Sequence, residues 1–303
     1  MINFNLTTSK NYLGVQSQLN TLIQKHLPAG SYTETTLEYV EGALNFTMFV
    51  MQQADVLMSH GAADKNYHWK KYANKSFVNE QTRRKHLFVP GNLLVDRISQ
   101  SRKLPSFNRT NVHSVGWPRL DALIALQNEY DKVKPATGKK NVLWAPTHDY
   151  NRKGANADVI SSYPDFEPYM EQLAVHYDVN VSLHPRNRKD KKPTYQQLLE
   201  ADVVISDLGT MVWEAWALGK TLIFPDWIIK ERMLKHKKNS AEWRIFAEDY
   251  GLHASSIEHM KDVIAESPAM DTRTKEFFEY YLDPKYLGCS GKRIADLLLA
   301  LDK

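Results

Sequence analysis

The sequence predicts an α/β protein built from two Rossmann-like domains, each with a parallel sheet. Two observations carry this prediction. Residues 203–206 and 221–224 are continuous apolar runs, which is typical of parallel strands that helices cover on both faces. Apolar runs also alternate with helical patterns from residue 142 onward, and this alternation favours a doubly wound sheet.

The chain has 303 residues, which is enough for two domains because single cores rarely grow beyond ~250–300 residues. Residues 131–140 are polar, contain a proline and a glycine, and are typical of an interdomain linker. We therefore predict a smaller, reduced N-terminal domain over 1–135 and a C-terminal domain over 140–285. Residues 286–303 contain an amphipathic helix that is expected to pack back across the domain interface.

The pattern of the first half predicts short elements. Helices are expected at 8–27, 93–101 and 119–130, and strands at 55–58, 87–89 and 111–115, with only a weak apolar stretch at 44–51. The second half is clearer. Strands are predicted at 142–145 and 179–183 and helices at 166–176 and 195–199, before a strand–turn–helix–strand unit at 201–227. Three or four helices are expected after Pro225, the last at 291–301.

The unit at residues 201–227 is the most informative part of the chain. Gly209 allows a sharp turn, Thr210 is expected to cap the helix, and Gly219 is expected to end it. The free N–H groups of such a helix start lie at the carboxyl edge of the sheet, where they bind phosphate. Glu214, four residues into the helix, is expected to reach a ribose hydroxyl beside that phosphate. An ordinary βαβ unit without a ligand explains the same pattern.

The composition is that of an ordinary soluble globular protein, with 24% charged and 43% hydrophobic residues. Cys289 is the only cysteine, which excludes an internal disulfide and a cysteine-rich metal site. The first ten residues lack the layout of a secretory signal, and no run reaches membrane-spanning length. We therefore expect a cytoplasmic location.

Basic residues concentrate in the first half of the chain. Residues 61–120 contain 12 Lys or Arg against three acids, which predicts a polyanionic partner, although a solvated basic face has the same composition. Basic and aromatic residues are interleaved within this stretch, at Lys65, Tyr67, Trp69, Lys70 and Lys71. Such interleaving suits a nucleic-acid backbone with stacked bases, whereas a phosphate-containing polymer needs only the charges.

Six short signatures occur in a fixed order along the chain. They are His60-Gly61, GWPRLD (116–121), APTHD (145–149), LHP (183–185), SDLGTMVWE (206–214) and FPD (224–226). Together they resemble the CDP-glycerol glycerophosphotransferase family, over residues 55 to 300. The resemblance implies a GT-B fold, in which two Rossmann-like domains face a cleft, and a role in making poly(glycerol phosphate)-type polymers.

The resemblance also implies roles for two histidines. His60 would act as the base near the acceptor hydroxyl, and His184 would contact the donor phosphates. The chain departs from the family pattern at two places. Residues 207–210 read Asp-Leu-Gly-Thr where the family has Asp-Tyr-Ser-Ser, and residues 61–63 read Gly-Ala-Ala where the family has Gly-Thr-Pro.

Transfer from a nucleotide diphosphate requires that the leaving group's charge be stabilised and that an acceptor hydroxyl be deprotonated. A helix start and cationic side chains meet the first requirement, and an imidazole that titrates near neutral pH meets the second. The chain has no Asp-x-Asp pair of the kind that metal-dependent glycosyltransferases use. We therefore expect neither a metal nor a cofactor beyond the nucleotide-activated donor.

The predicted site residues fall into two groups. The donor site comprises Thr147, His148, His184, Arg186, Arg188, Asp207, Gly209, Thr210, Met211, Glu214 and Asp226, and the acceptor site comprises His60, Gly61, Lys65, Tyr67, Trp69, Lys70, Lys71 and Arg119. Three of these have simple structural alternatives: Thr147 as a turn cap, Arg119 in a surface ion pair and Asp226 as a helix cap. Trp213 and Trp216 are expected in the core rather than against a base.

The expected activity is that of a metal-independent GT-B transferase, with the donor in the C-terminal domain and a polyanionic acceptor on the N-terminal domain. Two acceptors remain open. The preferred one is hydroxymethylated cytosine in DNA, glycosylated from a UDP-sugar as by viral enzymes in the host cytoplasm; the short chain and the basic aromatic segment favour it. The alternative, which the motifs favour, is a teichoic-acid or capsule-like polymer extended from CDP-glycerol. A third interpretation is a module that binds nucleic acid or polymer without catalysis.

Overall fold

The computed structural model describes residues 1–49, 53–64, 85–100, 110–134, 138–147, 160–184, 194–235 and 238–303. These residues form two compact units. The first joins Met1–Ala122 to Glu279–Lys303, and the second is Leu123–Phe278. Each unit contains one parallel sheet, so the prediction of two α/β domains is confirmed. Within the described ranges, no helix is both long and apolar enough to cross a membrane.

The first unit is built on a six-stranded sheet in the order β2-β1-β3-β4-β5-β6, and all neighbouring strands are parallel. Its strands are β1 (Ile2–Leu6), β2 (Tyr32–Thr36), β3 (Leu44–Thr47), β4 (Val56–Met58), β5 (His86–Val89) and β6 (Asn111–Ser114). The unit that was expected to be reduced therefore carries the larger of the two sheets.

A chain of buried polar side chains links β1, β3 and the start of β4. The Asn3 side-chain amide donates to Asn45 Oδ1 at 2.8 Å, and the Asn45 backbone N–H donates to Asp55 Oδ2 at 2.9 Å. All three residues are almost fully buried, and their hydrogen bonds to one another offset the loss of water. The sequence analysis did not predict β1, β2 or β3, because the buried positions of β1 and β3 carry asparagines where apolar residues were sought.

The second unit is built on a five-stranded parallel sheet in the order β11-β10-β9-β7-β8. Its strands are β7 (Asn141–Ala145), β8 (Asp178–Val181), β9 (Val203–Ser206), β10 (Thr221–Pro225) and β11 (Leu252–Ala254). One buried cluster on this sheet includes Trp144, Phe166, Ile205 and Ile264. Apolar side chains of β7 and β9 therefore hold the middle of the sheet in place.

Eleven α-helices occur in the described residues. They are α1 (Lys10–Gln24), α2 (Asn92–Gln100), α3 (Arg119–Val133), α4 (Glu167–Ala174), α5 (Thr194–Glu200), α6 (Thr210–Ala217), α7 (Asp226–Lys235), α8 (Ala241–Ala247), α9 (Ile257–Glu266), α10 (Thr272–Tyr281) and α11 (Ser290–Leu301). The predicted elements of the 201–227 unit agree with β9, α6 and β10. The expectation of three or four helices after Pro225 is wrong: five α-helices, a 3-10 turn and β11 follow, since these elements are short and weakly patterned.

The last helix, α11, is anchored within the first unit. The N–H groups of Ser290 and Gly291 donate to the carboxylate of Asp121 at 2.9 and 2.7 Å, and burial raises the pKa of that carboxyl. A Cβ at Gly291 would lie 2.3 Å from the carbonyl oxygen of Leu22 in α1. Residues 279–303 accordingly belong with the first sheet, whereas the sequence analysis drew its boundaries at 135 and 285.

Two lysines at the amino edge of the second sheet hydrogen-bond to the carboxyl ends of helices. Lys220 donates to the carbonyl oxygens of Leu199 and Ala201 at the end of α5, and Lys140 donates to those of Ile264 and Ala265 at the end of α9. Burial lowers the pKa of Lys220 to about 8. These cations line an open concave region of about 800 Å³, and their bonds to helix ends give them a structural role.

Gly291 and Gly14 form a matched pair for testing the packing of α11 on α1. We expect Gly291→Ala to destabilise the protein by about 1–3 kcal/mol, because the added methyl group overlaps a backbone carbonyl. Gly14 lies within α1 and a Cβ there meets nothing within 4 Å, so Gly14→Ala should stabilise by about 0.5–1 kcal/mol. Thermal unfolding measures both; equal effects of the two variants would contradict the packing of α11 on α1.

Two histidines on neighbouring strands share a hydrogen bond. His86 Nδ1 lies 3.1 Å from His113 Nε2, so one ring donates and the other accepts. Burial lowers the pKa of His113 from 6.5 to about 4, and the charges of His86 and Arg293 add to this effect. Between these pH values the unfolded chain therefore binds more protons than the folded chain. The stability that His113 contributes is present above about pH 6.5 and is lost as the pH falls toward 4.

We expect the wild type to lose about 1–2 kcal/mol more of its unfolding free energy than His113→Gln when the pH falls from 7 to 5. Glutamine has no titrating group, yet its side-chain amide can still donate to His86. Denaturation of both chains at the two pH values measures the difference. The same loss in the variant as in the wild type would show that His113 is not the acid-sensitive group.

Candidate functional site

The structure brings the predicted donor residues of the second unit to one edge of its sheet. Thr147 follows β7, His184 follows β8, residues 207–210 follow β9 and Asp226 follows β10. These four strands are neighbours in the order β10-β9-β7-β8 and are parallel, so their carboxyl ends lie side by side. In open parallel α/β sheets this edge is where ligands bind.

The start of α6 lies in the middle of this edge. Gly209 is its N-cap, with φ 99° and ψ −166°, and no side chain hydrogen-bonds at the cap. The prediction that Thr210 caps the helix is wrong: Thr210 is the first helical residue, because Gly209 adopts a conformation that favours glycine. Residues 209–211 are partly exposed. The first N–H groups of the helix are thus placed to bind an anion.

Asp207 organises the loops around this helix start. Its carboxylate accepts the N–H and the hydroxyl of Ser162 at 2.9 and 2.6 Å and the N–H of Thr147 at 3.1 Å. Ser161 extends the network by donating to the carbonyl oxygen of Thr147 at 2.7 Å. Three hydrogen bonds therefore tie the loop after β7 and the segment before α4 to the end of β9, and the fourth joins that loop to that segment. Sequence reasoning missed Ser161 and Ser162, which belong to no recognised motif.

Asp207 is fully buried. Burial raises the pKa of its carboxyl to about 6, and the hydrogen bonds from Ser162 and Thr147 oppose that rise. Its carboxylate oxygens bond to neighbouring loops rather than standing open to solvent, so the structure gives Asp207 a positioning role. A direct contact of Asp207 with the donor stays a prediction.

The middle of α6 is packed into the second unit. Trp213 and Trp216 are buried with ring centroids 5.6 Å apart. Trp216 also packs against Phe224 in a T-shaped contact. The prediction that both tryptophans are core residues is confirmed. Glu214 is 1% exposed on the same buried stretch, so solvent does not reach its carboxylate. Its predicted contact with a ribose hydroxyl stays a prediction.

Asp226 lies in an ion-pair network at the end of β10. Its carboxylate is 2.7 Å from His253 Nδ1 and 3.1 Å from Lys230 Nζ, and Lys230 is also 2.6 Å from Asp249. Among the described residues, Asp226, Asp249 and His253 are the group whose ligand atoms lie close enough to hold a metal ion. The lysine ammonium already compensates both carboxylates, which suits an ion-pair network better than a metal centre. The predicted contact of Asp226 with a hydroxyl stays a prediction.

In the first unit, His60 lies in a loop that follows β4 at the carboxyl edge of the sheet. Three contacts fix the backbone of this loop. The Ser59 hydroxyl donates to the carbonyl oxygen of Gly61 at 2.6 Å, and the Tyr281 hydroxyl donates to that of Ala62 at 2.6 Å. Asp64, whose side chain is fully buried, accepts both terminal nitrogens of Arg97 at 2.6 and 2.7 Å. Such a bidentate pair holds its partners in a defined geometry.

The imidazole of His60 is partly exposed and contacts two aromatic rings. The ring of Phe49 stacks on it at 4.9 Å with an interplanar angle of 8°, and the ring of Tyr12 lies 5.2 Å away at 57°. His60 is therefore held at the sheet edge without being enclosed in the core. Sequence reasoning found His60 through its motif but missed Phe49 and Tyr12, which are distant in the chain.

The structure describes only some of the remaining predicted site residues. Gly61 is buried within the His60 loop, and Arg119 is the first residue of α3 and partly exposed. Asp121, in the same GWPRLD motif, binds the start of α11 and so has a structural role. Eight predicted residues lie outside the described residues: Lys65, Tyr67, Trp69, Lys70, Lys71, His148, Arg186 and Arg188.

Comparison with known proteins gives a family and a fold. A family model described as CDP-Glycerol:Poly(glycerophosphate) glycerophosphotransferase matches residues 19–208. This range contains His60, His184 and Asp207 and ends just before Gly209. No curated protein matches the sequence.

Solved structures that resemble the chain include two of TagF and one of an epimerase. The wall teichoic acid polymerase TagF matches with a TM-score of 0.62 and 14% identity over 99% of this chain and 89% of that one. A TagF histidine-to-asparagine variant soaked with CDPG matches at 0.59 and 16%, over 100% and 89%. The UDP-GlcNAc 2-epimerase of Neisseria meningitidis bound to UDP-GlcNAc matches at 0.51 and 14%, over 99% and 100%. At these identities the matches show the fold, which is GT-B, as predicted.

Removal of the Asp207 carboxylate tests its positioning role. We expect Asp207→Ala to destabilise the protein by about 2–4 kcal/mol, because it leaves the buried donors of Ser162 and Thr147 without their acceptor. Asp165→Ala is the matched control, since Asp165 is 47% exposed and pairs with Arg232 at the surface; its effect should stay below about 1 kcal/mol. Thermal unfolding at neutral pH compares them, and equal stability of the two variants would contradict the role.

Proposed function

The chain belongs to the CDP-glycerol:poly(glycerophosphate) glycerophosphotransferase family, and from this premise we propose that it transfers glycerol phosphate from CDP-glycerol to a hydroxyl of a phosphate-containing glycopolymer. The observation that carries the proposal is the family match over residues 19–208, which includes both candidate histidines and the Asp207 network. The matches to TagF, one of them soaked with CDPG, support the same donor.

The proposed reaction is a substitution at the phosphorus that bears the glycerol. The acceptor oxygen forms a new P–O bond, and the bond from that phosphorus to the bridging oxygen breaks. CMP leaves with the electron pair of the broken bond, and the proton of the acceptor hydroxyl goes to a base. The protein must therefore stabilise negative charge on the departing phosphate and remove one proton.

The carboxyl edge of the second sheet suits the donor. The start of α6 presents backbone N–H groups at partly exposed residues 209–211, and a helix start also favours negative charge through its dipole. His184 follows β8 on the same edge and is partly exposed. We assign the phosphates of CDP-glycerol to this edge, with His184 as a contact that stabilises the departing CMP.

His60 suits the base. It lies on the carboxyl edge of the first sheet, its loop backbone is fixed by Tyr281 and Arg97, and its ring is partly exposed. An imidazole titrates near neutral pH, and a general base of this kind contributes typically ~10²–10⁴-fold to the rate. We assign the acceptor hydroxyl to the neighbourhood of His60.

The family match changes the preferred acceptor. The acceptor preferred from the sequence was hydroxymethylated cytosine in DNA. That interpretation rested on the short chain and on the basic aromatic residues 65–71, and these residues lie outside the described residues. The family description names a poly(glycerophosphate) acceptor instead. Nothing in the described residues favours a nucleic acid over a phosphate-containing polymer, so the glycopolymer is the better-supported acceptor.

Release of CMP from CDP-glycerol tests the proposal. We expect CMP to appear with a glycerol-phosphate oligomer and not with hydroxymethylcytosine DNA or with UDP-sugars. His60→Ala should lower turnover by ~10²–10⁴-fold while donor binding persists, and His184→Ala should weaken donor binding. His26→Ala and His176→Ala are matched controls, because both side chains are exposed and neither belongs to the proposed site.

Several outcomes would contradict the proposal. Nucleotide release with DNA and a UDP-sugar would show that DNA is the acceptor. If no nucleotide is released with any of the acceptors tested, a binding module without catalysis is favoured. Normal turnover of both His60→Ala and His184→Ala, matching the two control variants, would show that the residues are assigned incorrectly.

A further inference from the structure

Three aromatic side chains of the first unit form a closed cluster at the sheet edge, which we call the aromatic clamp: Tyr12, Phe49 and His60. Each ring contacts the other two. The centroid distances are 4.9 Å for Phe49–His60, 5.2 Å for Tyr12–His60 and 5.5 Å for Tyr12–Phe49. The Phe49 and His60 rings are nearly parallel, at 8°, and Tyr12 is tilted by 57° to both.

The clamp is assembled from three separate parts of the chain. Tyr12 lies in the first turn of α1, after β1; Phe49 lies two residues after β3; and His60 lies two residues after β4. The strands β1, β3 and β4 are adjacent and parallel, so their carboxyl ends bring the three rings together. The order of the strands therefore places Tyr12 and Phe49 next to the loop that carries His60.

We propose that Phe49 and Tyr12 are positioning residues that hold the imidazole of His60 in one plane. The inference rests on the proposed role of His60 as the base. The contacts of Ala62 with Tyr281 and of Asp64 with Arg97 fix the loop backbone, whereas Phe49 and Tyr12 contact the imidazole of His60 itself. The stack on Phe49 restricts the side-chain torsions of His60, because rotation of the imidazole out of its plane would break the face-to-face contact.

A fixed plane matters because an imidazole has two nitrogens and only one of them can meet the acceptor hydroxyl. General-base catalysis requires that nitrogen to be within about 3 Å of the proton donor in the reactive geometry. The stack also acts after proton transfer, since the face of a phenyl ring attracts a cation such as the imidazolium that His60 becomes. Both effects lower the free energy needed to go from the resting state to the reacting state. They should therefore raise kcat and leave the affinity for the donor unchanged.

Substitution of the stacked ring separates this role from general packing. We expect Phe49→Leu to lower kcat for CMP release by about tenfold, which corresponds to about 1.4 kcal/mol of barrier, with the KM for CDP-glycerol unchanged. Phe49→Tyr keeps the ring and should restore kcat to within about twofold. Tyr12→Leu should lower kcat in the same direction, and it serves as the second test if Phe49→Leu does not fold.

Phe46→Leu is the matched control for the same chemical change. Phe46 is buried in β3, where its ring contacts Phe4 and Phe88, whereas Phe49 stacks on His60. We expect this variant to lower the melting temperature while its folded fraction keeps the wild-type kcat. The positioning role would be overturned if Phe49→Leu kept the wild-type kcat. It would also be overturned if Phe46→Leu lowered kcat as much as Phe49→Leu does.

His60→Ala distinguishes failure of the clamp from failure of the proposed function. If His60→Ala loses turnover and Phe49→Leu does not, His60 is still the base and only the positioning role is overturned. If His60→Ala turns over like the wild type, the base assignment fails and the clamp fails with it. Loss of turnover in His60→Ala, partial loss in Phe49→Leu and recovery in Phe49→Tyr together would establish both.

Discussion

The second unit depends on one buried carboxylate. Asp207 lies at the end of β9 and accepts hydrogen bonds from Thr147 and Ser162, so it connects the ends of two strands to the segment before α4. Burial of a carboxylate is unfavourable unless donors surround it, and here the donors come from the loops that shape the candidate site. The partly exposed helix start at Gly209 follows two residues later, so the network that stabilises the edge also positions the N–H groups to which we assign the donor phosphates.

The two sheets differed in how far the sequence predicted them. The strands and helix of residues 201–227 were predicted nearly to the residue, because buried parallel strands read as apolar runs and Gly219 marks the helix end. The strands β1 and β3 were missed because Asn3 and Asn45 occupy buried positions and satisfy each other. Such pairing joins residues 42 positions apart, which no local pattern reveals. A polar buried strand can be recognised only once its partner is known.

The candidate site was predicted in outline for a related reason. His60 follows a strand of the first sheet, and His184 and residues 207–210 follow strands of the second. Because the carboxyl ends of parallel strands lie side by side within a sheet, motif and strand order together predict the sheet edge on which each of them lies. Their supports come from elsewhere in the chain. Ser162 bonds to Asp207, and Phe49 and Tyr12 contact His60; none of these residues carries a motif. Motifs point to residues suited to the chemistry, whereas the structure shows which residues contact them.

Membership of the glycerophosphotransferase family is the basis for CDP-glycerol as the proposed donor, and we place its phosphates on the N–H groups at the start of α6. A crystal structure of the protein with CDP-glycerol tests this placement most directly. We expect a phosphate oxygen within about 3 Å of the backbone nitrogens of Thr210 or Met211. A nucleotide bound away from this helix start, for example beside Lys134 and Lys220 at the amino edge of the sheet, would contradict it.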